Sequence, residues 1–285
     1  MANKRTNFLI IGAGTAGCVL ARRLSDDPDV SVILVEAGGP ATETAISDPK
    51  QWPFLAGTNL DWGYQTTTQH HTDNRVHDWP RGKVMGGTSS INAMAHVRGH
   101  PSDFDHWADH DCAGWGHNDL LPYFIKSETS QFGASQYHGD SGPMALMQPI
   151  APHPLTDCYQ TAALSLGCEV IDEHNGPDLA GVTLNTLTIV DGKRSSASNA
   201  YLDPIQNRDN LKIIDHCFIE KLLIDDNNQC YGVRYEKDGE THDLQSDGSV
   251  ILSAGTIGSP QILMCSGIGP ANDLMDLSIN VKVDL

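Results

Sequence analysis

The chain has 285 residues, 39% hydrophobic and 19% charged, the proportions of a folded globular protein with enough length for a substantial core in one or two domains. Acidic residues outnumber basic ones 36 to 18, and a formal net charge of −18 repels nucleic-acid phosphates and anionic membranes, so no nucleic-acid partner is expected. No run of about 18 apolar residues occurs, which excludes a transmembrane helix. The opening residues MANKRTN carry no long apolar region with a small-residue cleavage site, and a cytoplasmic location is expected. The seven cysteines (Cys18, Cys112, Cys158, Cys168, Cys217, Cys230 and Cys265) are scattered and include no C-x-x-C pair, so reduced thiols are expected rather than a disulfide framework or a cysteine zinc site.

Phe8 to Ile11 (FLII) is a short apolar run suited to a buried parallel strand. It runs into Gly12-Ala13-Gly14-Thr15-Ala16-Gly17, a G-x-G-x-x-G sequence, and Cys18 to Leu24 then reads as a helix with Val19, Leu20 and Leu24 turned inward. A turn at Asp26–Asp29 leads to a second strand, Val30 to Val35, which ends at Glu36. Each part has a physical task in holding a dinucleotide. Gly12 permits the tight turn, Gly14 lets backbone approach a pyrophosphate, and Gly17 lets helix pack on strand. Thr15 and Ala16, in the same loop, are expected to contact the cofactor, and the free N–H groups and positive dipole of the helix N-terminus favour phosphate. Glu36 follows at about the 20-residue spacing of a ribose-binding carboxylate, which would repel a 2′-phosphate and so argues against NADP. The loop alone leaves FAD and NAD both open.

Farther along, Trp79 to Met94 contains paired glycines followed by small hydroxyl residues, a composition that lets backbone lie against a flat cofactor. His106, His110 and Cys112 offer only two imidazoles and one thiol, and no metal is expected. His70-His71 reads as a solvated turn. Residues 155–166 form an amphipathic run, and Arg194 to Leu202 reads as a helix start with serine caps and a buried Tyr201–Leu202 end. Strands are predicted at Leu211–Asp215, Phe218–Ile224 and Val250–Ala254. Ser259-Pro260 then reads as a cap with proline at the first helical position, and Gly267 as the helix end. Ile279, Val281, Val283 and Leu285 alternate with polar residues as a strand does.

Several of these blocks together resemble the glucose-methanol-choline (GMC) oxidoreductases from about Asn7 to Leu285: VEAGG at 35–39, WPRGKVMGGTSSINAM at 79–94, GHPSDFDHWA at 99–108, RSSASNAYL at 194–202 and GTIGSPQILMCSGIG at 255–269. The resemblance implies an α/β fold: a Rossmann-type FAD-binding domain with an interleaved α+β substrate-binding domain, truncated here. Residues 1–145 are expected to begin the FAD domain, 146–191 to make the first pass through the substrate domain, and 192–285 to return. The resemblance also implies FAD contacts at Ala37, Arg81, Val84, Gly86, Gly87, Thr88, Asn92, Ala93, Met94, Ala95, Ala254 and Gly255, with backbone at Ile219 against the adenine. Met85 stands where leucine is commoner in the family, and His96 where an aromatic residue is usual. Some members attach FAD through a histidine at the position of Ile91, and isoleucine has no nucleophile, so non-covalent FAD is expected.

The implied activity is oxidation of a primary alcohol to an aldehyde, with hydride passing to flavin N5 and O2, a quinone or another carrier as electron acceptor. Choline and aromatic or furanic alcohols are the candidate substrates. The family's catalytic histidine is expected beyond Leu285, so no catalytic residue is assigned in this chain. The alternatives are a non-redox lyase of the hydroxynitrile lyase type, which keeps FAD structurally, and an inactive FAD-binding fragment.

Overall fold

Phe8–Ile11 (β1) is strand because an unbroken aliphatic run can be covered on both faces, and Leu9, Ile10 and Ile11 are almost wholly buried. The protein is described by a computed structural model over residues 6–285, so the reading of a leader-free N-terminus falls on Met1–Arg5, outside the described residues. After β1 come a helix, Thr15–Leu24 (α1), and a second strand, Val32–Val35 (β2). Far along the chain follow Leu211–Ile214 (β3), Phe218–Ile224 (β4), Cys230–Lys237 (β5), Glu240–Gln245 (β6), Ser249–Leu252 (β7) and a second long helix, Gly255–Cys265 (α2). Four of these strands make a parallel sheet in the order β7-β1-β2-β3, with Phe8 level with both Val32 and Ser249. β4, β5 and β6 form an antiparallel meander. A core of Leu9, Ile11, Val35, Cys217, Val233 and Ile262 joins sheet, meander and α2.

The first helix starts at Thr15 rather than Cys18, and its buried stripe is Gly17, Cys18 and Ala21. Val19, Leu20 and Leu24 are only half-buried. Small residues face inward because α1 lies almost on the backbone of the preceding loop. A Cβ on Gly17 would overlap the carbonyl oxygen of Gly12. Gly17→Ala is therefore expected to cost about 1–3 kcal/mol through overpacking. Calorimetry should show a melting temperature lowered by roughly 2–12 °C, and an unchanged value would mean the helix has room to move.

Other boundaries shift for similar local reasons. β2 begins at Val32, not Val30, and β7 spans Ser249–Leu252, half-buried except for its exposed first residue. The second helix begins at Gly255, capped by Ala254, so Pro260 sits inside it and not at its first position. Gly255 takes φ +80°, a left-handed conformation that favours glycine, as the chain turns from strand into helix after Ser253 and Ala254. Gly267, at φ +86°, closes it as expected. Arg194 to Leu202 becomes a single wide turn over Ser198–Leu202, introduced by Ser196, whose Oγ accepts the Asn199 N–H; Tyr201 and Leu202 are buried. Of the alternating tail, only Val283–Asp284 is strand, paired in parallel with Ile268–Gly269.

The chain divides into two units. One gathers the residues up to Ile46, Lys50–Ile91 and Ser196–Leu285; the other holds Ser47–Pro49 and Asn92–Ser195. Residues 92–145 thus pack with the middle of the chain, a different division from the boundary near 145 read from sequence. In this second unit Pro101–Asp109 is a helix opened by a capping box between His100 and Asp103, and His117–Ser127 leads into the strand Glu128–Ser130. A third helix, Leu155–Ser165, buries none of its residues.

The centre of the second unit is ionic. Glu128, wholly buried, places one carboxylate oxygen 2.6 Å from His138 Nδ1 and the other 2.9 Å from Arg98 Nη2. His138 Nε2 lies 2.6 Å from Glu173 Oε1. A neutral imidazole donates from one nitrogen only, so the two 2.6 Å contacts require an extra proton on the ring or on a carboxyl group. With the ring protonated, two positive and two negative groups balance. His96 Nε2 stands 3.8 Å from Glu128, and burial pushes its pKa down.

Candidate functional site: a dinucleotide cavity

A cavity of about 550 Å³ opens where β1, β2 and β7 end, and their last residues, Ile11, Val35 and Leu252, line it. This is where an open parallel sheet leaves a crevice: the neighbours of β1 lie one on either side of it, so the strand order reverses there. Two helices begin on the cavity wall. Gly14, Thr15 and Ala16 present the start of α1, and Gly255, Thr256 and Ile257 the start of α2. Neither helix has a side-chain cap or an acidic residue in its first turn, so both offer backbone donors and a positive dipole end to an anion. A Cβ built on Gly14 or Gly255 would meet no atom closer than 4.0 Å, which leaves the cavity side of both turns open to a ligand.

Glu36 lines the same cavity, only 7% exposed. Its Oε2 accepts the Ala13 N–H at 2.7 Å and its Oε1 the Gly38 N–H at 2.8 Å, so the carboxylate ties the glycine loop to the end of β2. Burial raises its pKa, against the lowering effect of those N–H groups. Arg81 supplies a cation on the wall. Its backbone N–H donates to Asp61 Oδ1 at 2.8 Å, and its guanidinium donates to the Pro80 carbonyl and lies 5.4 Å from the Trp79 ring centroid.

Of the residues selected from sequence, the structure brings Gly12, Gly14, Thr15, Ala16, Glu36, Ala37, Arg81, Gly87, Thr88, Ile219, Ala254 and Gly255 to this one cavity. Gly17, Val84 and Gly86 are not on its wall. Gly17 is the helix contact described above, and Val84 is fully buried in a cluster with Ile46, Leu55, Leu60 and Ile91. Gly86 takes φ +88°, with its N–H donating to the Ala13 carbonyl. Asn92, Ala93, Met94 and Ala95 belong to the second unit. There the Arg194 guanidinium donates to the carbonyl and side-chain oxygens of Asn92, Met94 takes φ +63°, and Ala95 bridges to Leu187. Sequence reasoning passed over Trp62, Tyr64, Phe218 and Gln261, which also line the cavity. The one usable signal was the Trp62-Gly63-Tyr64 alternation, which puts two rings on the same side of an extended segment.

Among the described residues no three His, Cys, Asp or Glu side chains stand close enough to share a metal ion, and no helix is long and apolar enough to cross a membrane. The seven cysteines are free; burial pushes the Cys18 thiol up to about 12.

Comparison with known proteins agrees with this geometry. Residues 6–283 match the family described as GMC oxidoreductase. The chain belongs to the GMC oxidoreductase family. It is 40% identical over 282 residues to the oxygen-dependent choline dehydrogenase of Sinorhizobium fredii, covering 98% of this chain and 51% of that protein. Human mitochondrial choline dehydrogenase is 40% identical over 288 residues, covering 98% of this chain and 48% of the human protein. Among solved structures, pyridoxine 4-oxidase from Mesorbium loti superposes with a TM-score of 0.94 at 37% identity, over 98% of this chain and 55% of that one. The chain thus spans about half the length of the GMC relatives it matches.

Proposed function

We propose that this chain is the cofactor-holding half of an FAD-dependent GMC enzyme that oxidises a primary alcohol to an aldehyde. The observation that carries the reading is the joint cavity: two bare helix N-termini and a buried carboxylate, Glu36, face one space of about 550 Å³. The donors suit a pyrophosphate and Glu36 suits ribose hydroxyls. Bound FAD would supply a hydride acceptor at flavin N5, chemistry that no side chain possesses. The chain's own residues act around it. The starts of α1 and α2 hold the negative charge, Arg81 adds a positive one, and Gly87 and Thr88 line the wall near Gly14. Ile91, packed among aliphatic side chains, offers no atom for a covalent link to the cofactor.

The substrate class proposed is a small primary alcohol, choline-like or aromatic. Relatives named for choline and a structural neighbour named for pyridoxine support it. Dioxygen as acceptor draws support from the printed description of the Sinorhizobium relative as oxygen-dependent. We assign the proton acceptor for the alcohol to residues beyond Leu285.

The test uses the chain loaded with FAD. Acid precipitation is expected to release all yellow colour into the supernatant, and flavin retained on the denatured polypeptide would contradict non-covalent binding. Anaerobic choline or benzyl alcohol is expected to leave the flavin of residues 1–285 oxidised but to bleach that of the longer protein. Bleaching of the short chain at enzymatic rates would place a base within it. No bleaching of the longer protein by any alcohol would favour structural use of FAD.

A further inference from the structure

In the second unit a side chain holds the extended segment from His96 to Arg98. Buried Asn175 accepts the Arg98 backbone N–H on Oδ1 at 2.8 Å and donates from Nδ2 to the His96 carbonyl at 3.0 Å. Asn175 stands two residues after Glu173, whose Oε1 lies 2.6 Å from His138 Nε2. On the opposite edge of the ring, His138 Nδ1 lies 2.6 Å from Glu128 Oε1. An imidazole between two carboxylates makes both contacts as hydrogen bonds only with one proton more than its neutral form and two ionised carboxylates carry. Without that proton a ring lone pair faces a carboxylate oxygen, and the more weakly held carboxylate lets go. That one is Glu173: its side chain is 13% exposed, and its Oε2 has no hydrogen-bond partner in the described structure. Glu128 is wholly buried and keeps the Arg98 guanidinium at 2.9 Å. The other titratable group facing the cluster is His96, with Nε2 3.8 Å from Glu128 Oε2. The Phe132 ring, 6.0 Å from the His138 ring between centroids, carries no charge.

We propose that the proton shared by Glu128, His138 and Glu173 works as a latch. While bound, it ties Glu173 to the strand Glu128–Ser130, and Asn175, two residues on, keeps the segment from His96 to Arg98 in place. Loss of the proton as pH rises frees Glu173 and Asn175 together, and the partly exposed Glu173 gives the proton its way to solvent. In the opened chain a histidine is mostly uncharged above about pH 7, whereas the closed cluster holds the proton. Closing therefore takes up one proton. It is favoured at low pH and weakens by about tenfold per pH unit until the closed cluster itself gives the proton up. Met94 and Ala95, for which the family resemblance implies FAD contacts, immediately precede the latched segment, so the proton sets how firmly that stretch is held. The latch itself does not rest on the FAD reading.

Hydrogen exchange at the Arg98 amide reads the latch directly, because that N–H ends on Asn175. It is followed by NMR on the full chain between about pH 7 and pH 9, where an unfolded histidine is uncharged. Exchange is measured where it follows the opening equilibrium, and the intrinsic acceleration of exchange with pH is divided out. Wild-type protein is expected to lose protection by up to about tenfold per pH unit. Glu173→Gln keeps the shape and offers a neutral ring either an amide oxygen or an amide N–H, so it needs no extra proton. Its protection is expected to stay flat. The Ser253 amide, bonded to the Ile11 carbonyl in the first unit, is the internal reference and is expected to show no slope in either protein. Circular dichroism checks folding, and Glu173→Ala, with the same expected flat profile, replaces a glutamine variant that fails it. Flat protection at Arg98 in wild type overturns the latch. So does an undiminished slope in the Glu173 variant, and so do equal slopes at Arg98 and Ser253, which would mean that the whole chain opens rather than this segment.

Discussion

Glu128→Ala is expected to be the most damaging single substitution in the second unit, lowering stability by about 3–5 kcal/mol. The carboxylate is wholly buried and faces the Arg98 guanidinium and the His138 ring. Removing it leaves a buried cation without its counter-charge and a ring nitrogen without its partner, which costs far more than the intact cluster contributes over an apolar replacement. What remains to the Arg98 guanidinium is one hydrogen bond to a neutral carbonyl and the face of the Phe124 ring, 5.3 Å away. Its Nη1 donates to the Tyr137 carbonyl, and its Nε has no hydrogen-bond partner in the described structure. Differential scanning calorimetry should show a fall of roughly 6–20 °C. Asp243→Ala is the control, because its bidentate pair with Arg234 (2.7 and 2.9 Å) is solvent-exposed and screened and should matter little. Equal effects from the two substitutions would show that the buried cluster has no special weight.

Glu36→Ala should weaken FAD binding about ten- to a hundred-fold, the worth of roughly 1.5–3 kcal/mol for a hydrogen bond to a charged group. Each carboxylate oxygen already accepts one backbone N–H, from Ala13 or Gly38, and has a lone pair left for a ribose hydroxyl. Glu36→Gln should also bind poorly, because its amide NH2 must face one of those N–H groups. The pH dependence follows from burial, which raises the pKa of this carboxyl above its usual range. A raised folded-state pKa means the proton is held more tightly by the folded apoprotein than by the unfolded chain. Its contribution to apoprotein stability is therefore present at low pH and lost as pH rises through the folded pKa. Ribose hydroxyls prefer the ionised form, so FAD affinity should fall on acidification, starting at a higher pH than an exposed carboxylate would dictate. Calorimetric titration between pH 8 and 5 checks this. An affinity equally flat with pH in wild type and Glu36→Ala would remove Glu36 from the site.

The glycine loop, its flanking strands and Glu36 were legible in the sequence because their constraints are local. A tight turn needs Gly12, a close helix needs Gly17, and an acid follows at a set distance. The inward stripe of α1 does not follow from its large apolar residues, because contact with the Gly12 carbonyl admits only small ones. Pro260 does not mark the start of α2, because its preference for a first turn yields to the positive φ of Gly255, which lets the helix begin five residues earlier. The division at Ile91 was hidden for a different reason. Glu128 meets Arg98 and His138, and Asn92 meets Arg194, through contacts between residues 10 to 102 positions apart that no local pattern announces. The aromatic residues at the cavity are hidden likewise: Trp62 and Phe218 meet only after Asn92–Ser195 has intervened.

The order β7-β1-β2-β3 also bears on how the chain is made. β1 and β2 leave the ribosome first, but their outer neighbours arrive only with residues 211–214 and 249–252. At about 5–20 residues per second, two aliphatic strands wait for roughly 10–45 s with half their edges unpaired. The second unit, all of it but Ser47–Pro49 in the one stretch from Asn92 to Ser195, has meanwhile emerged whole. During synthesis the nucleotide-binding sheet thus completes later than the second unit and is the more exposed of the two to chance pairing with other nascent chains. Its yield in a cell should respond to chaperone supply more sharply than that of the ionic-centred unit.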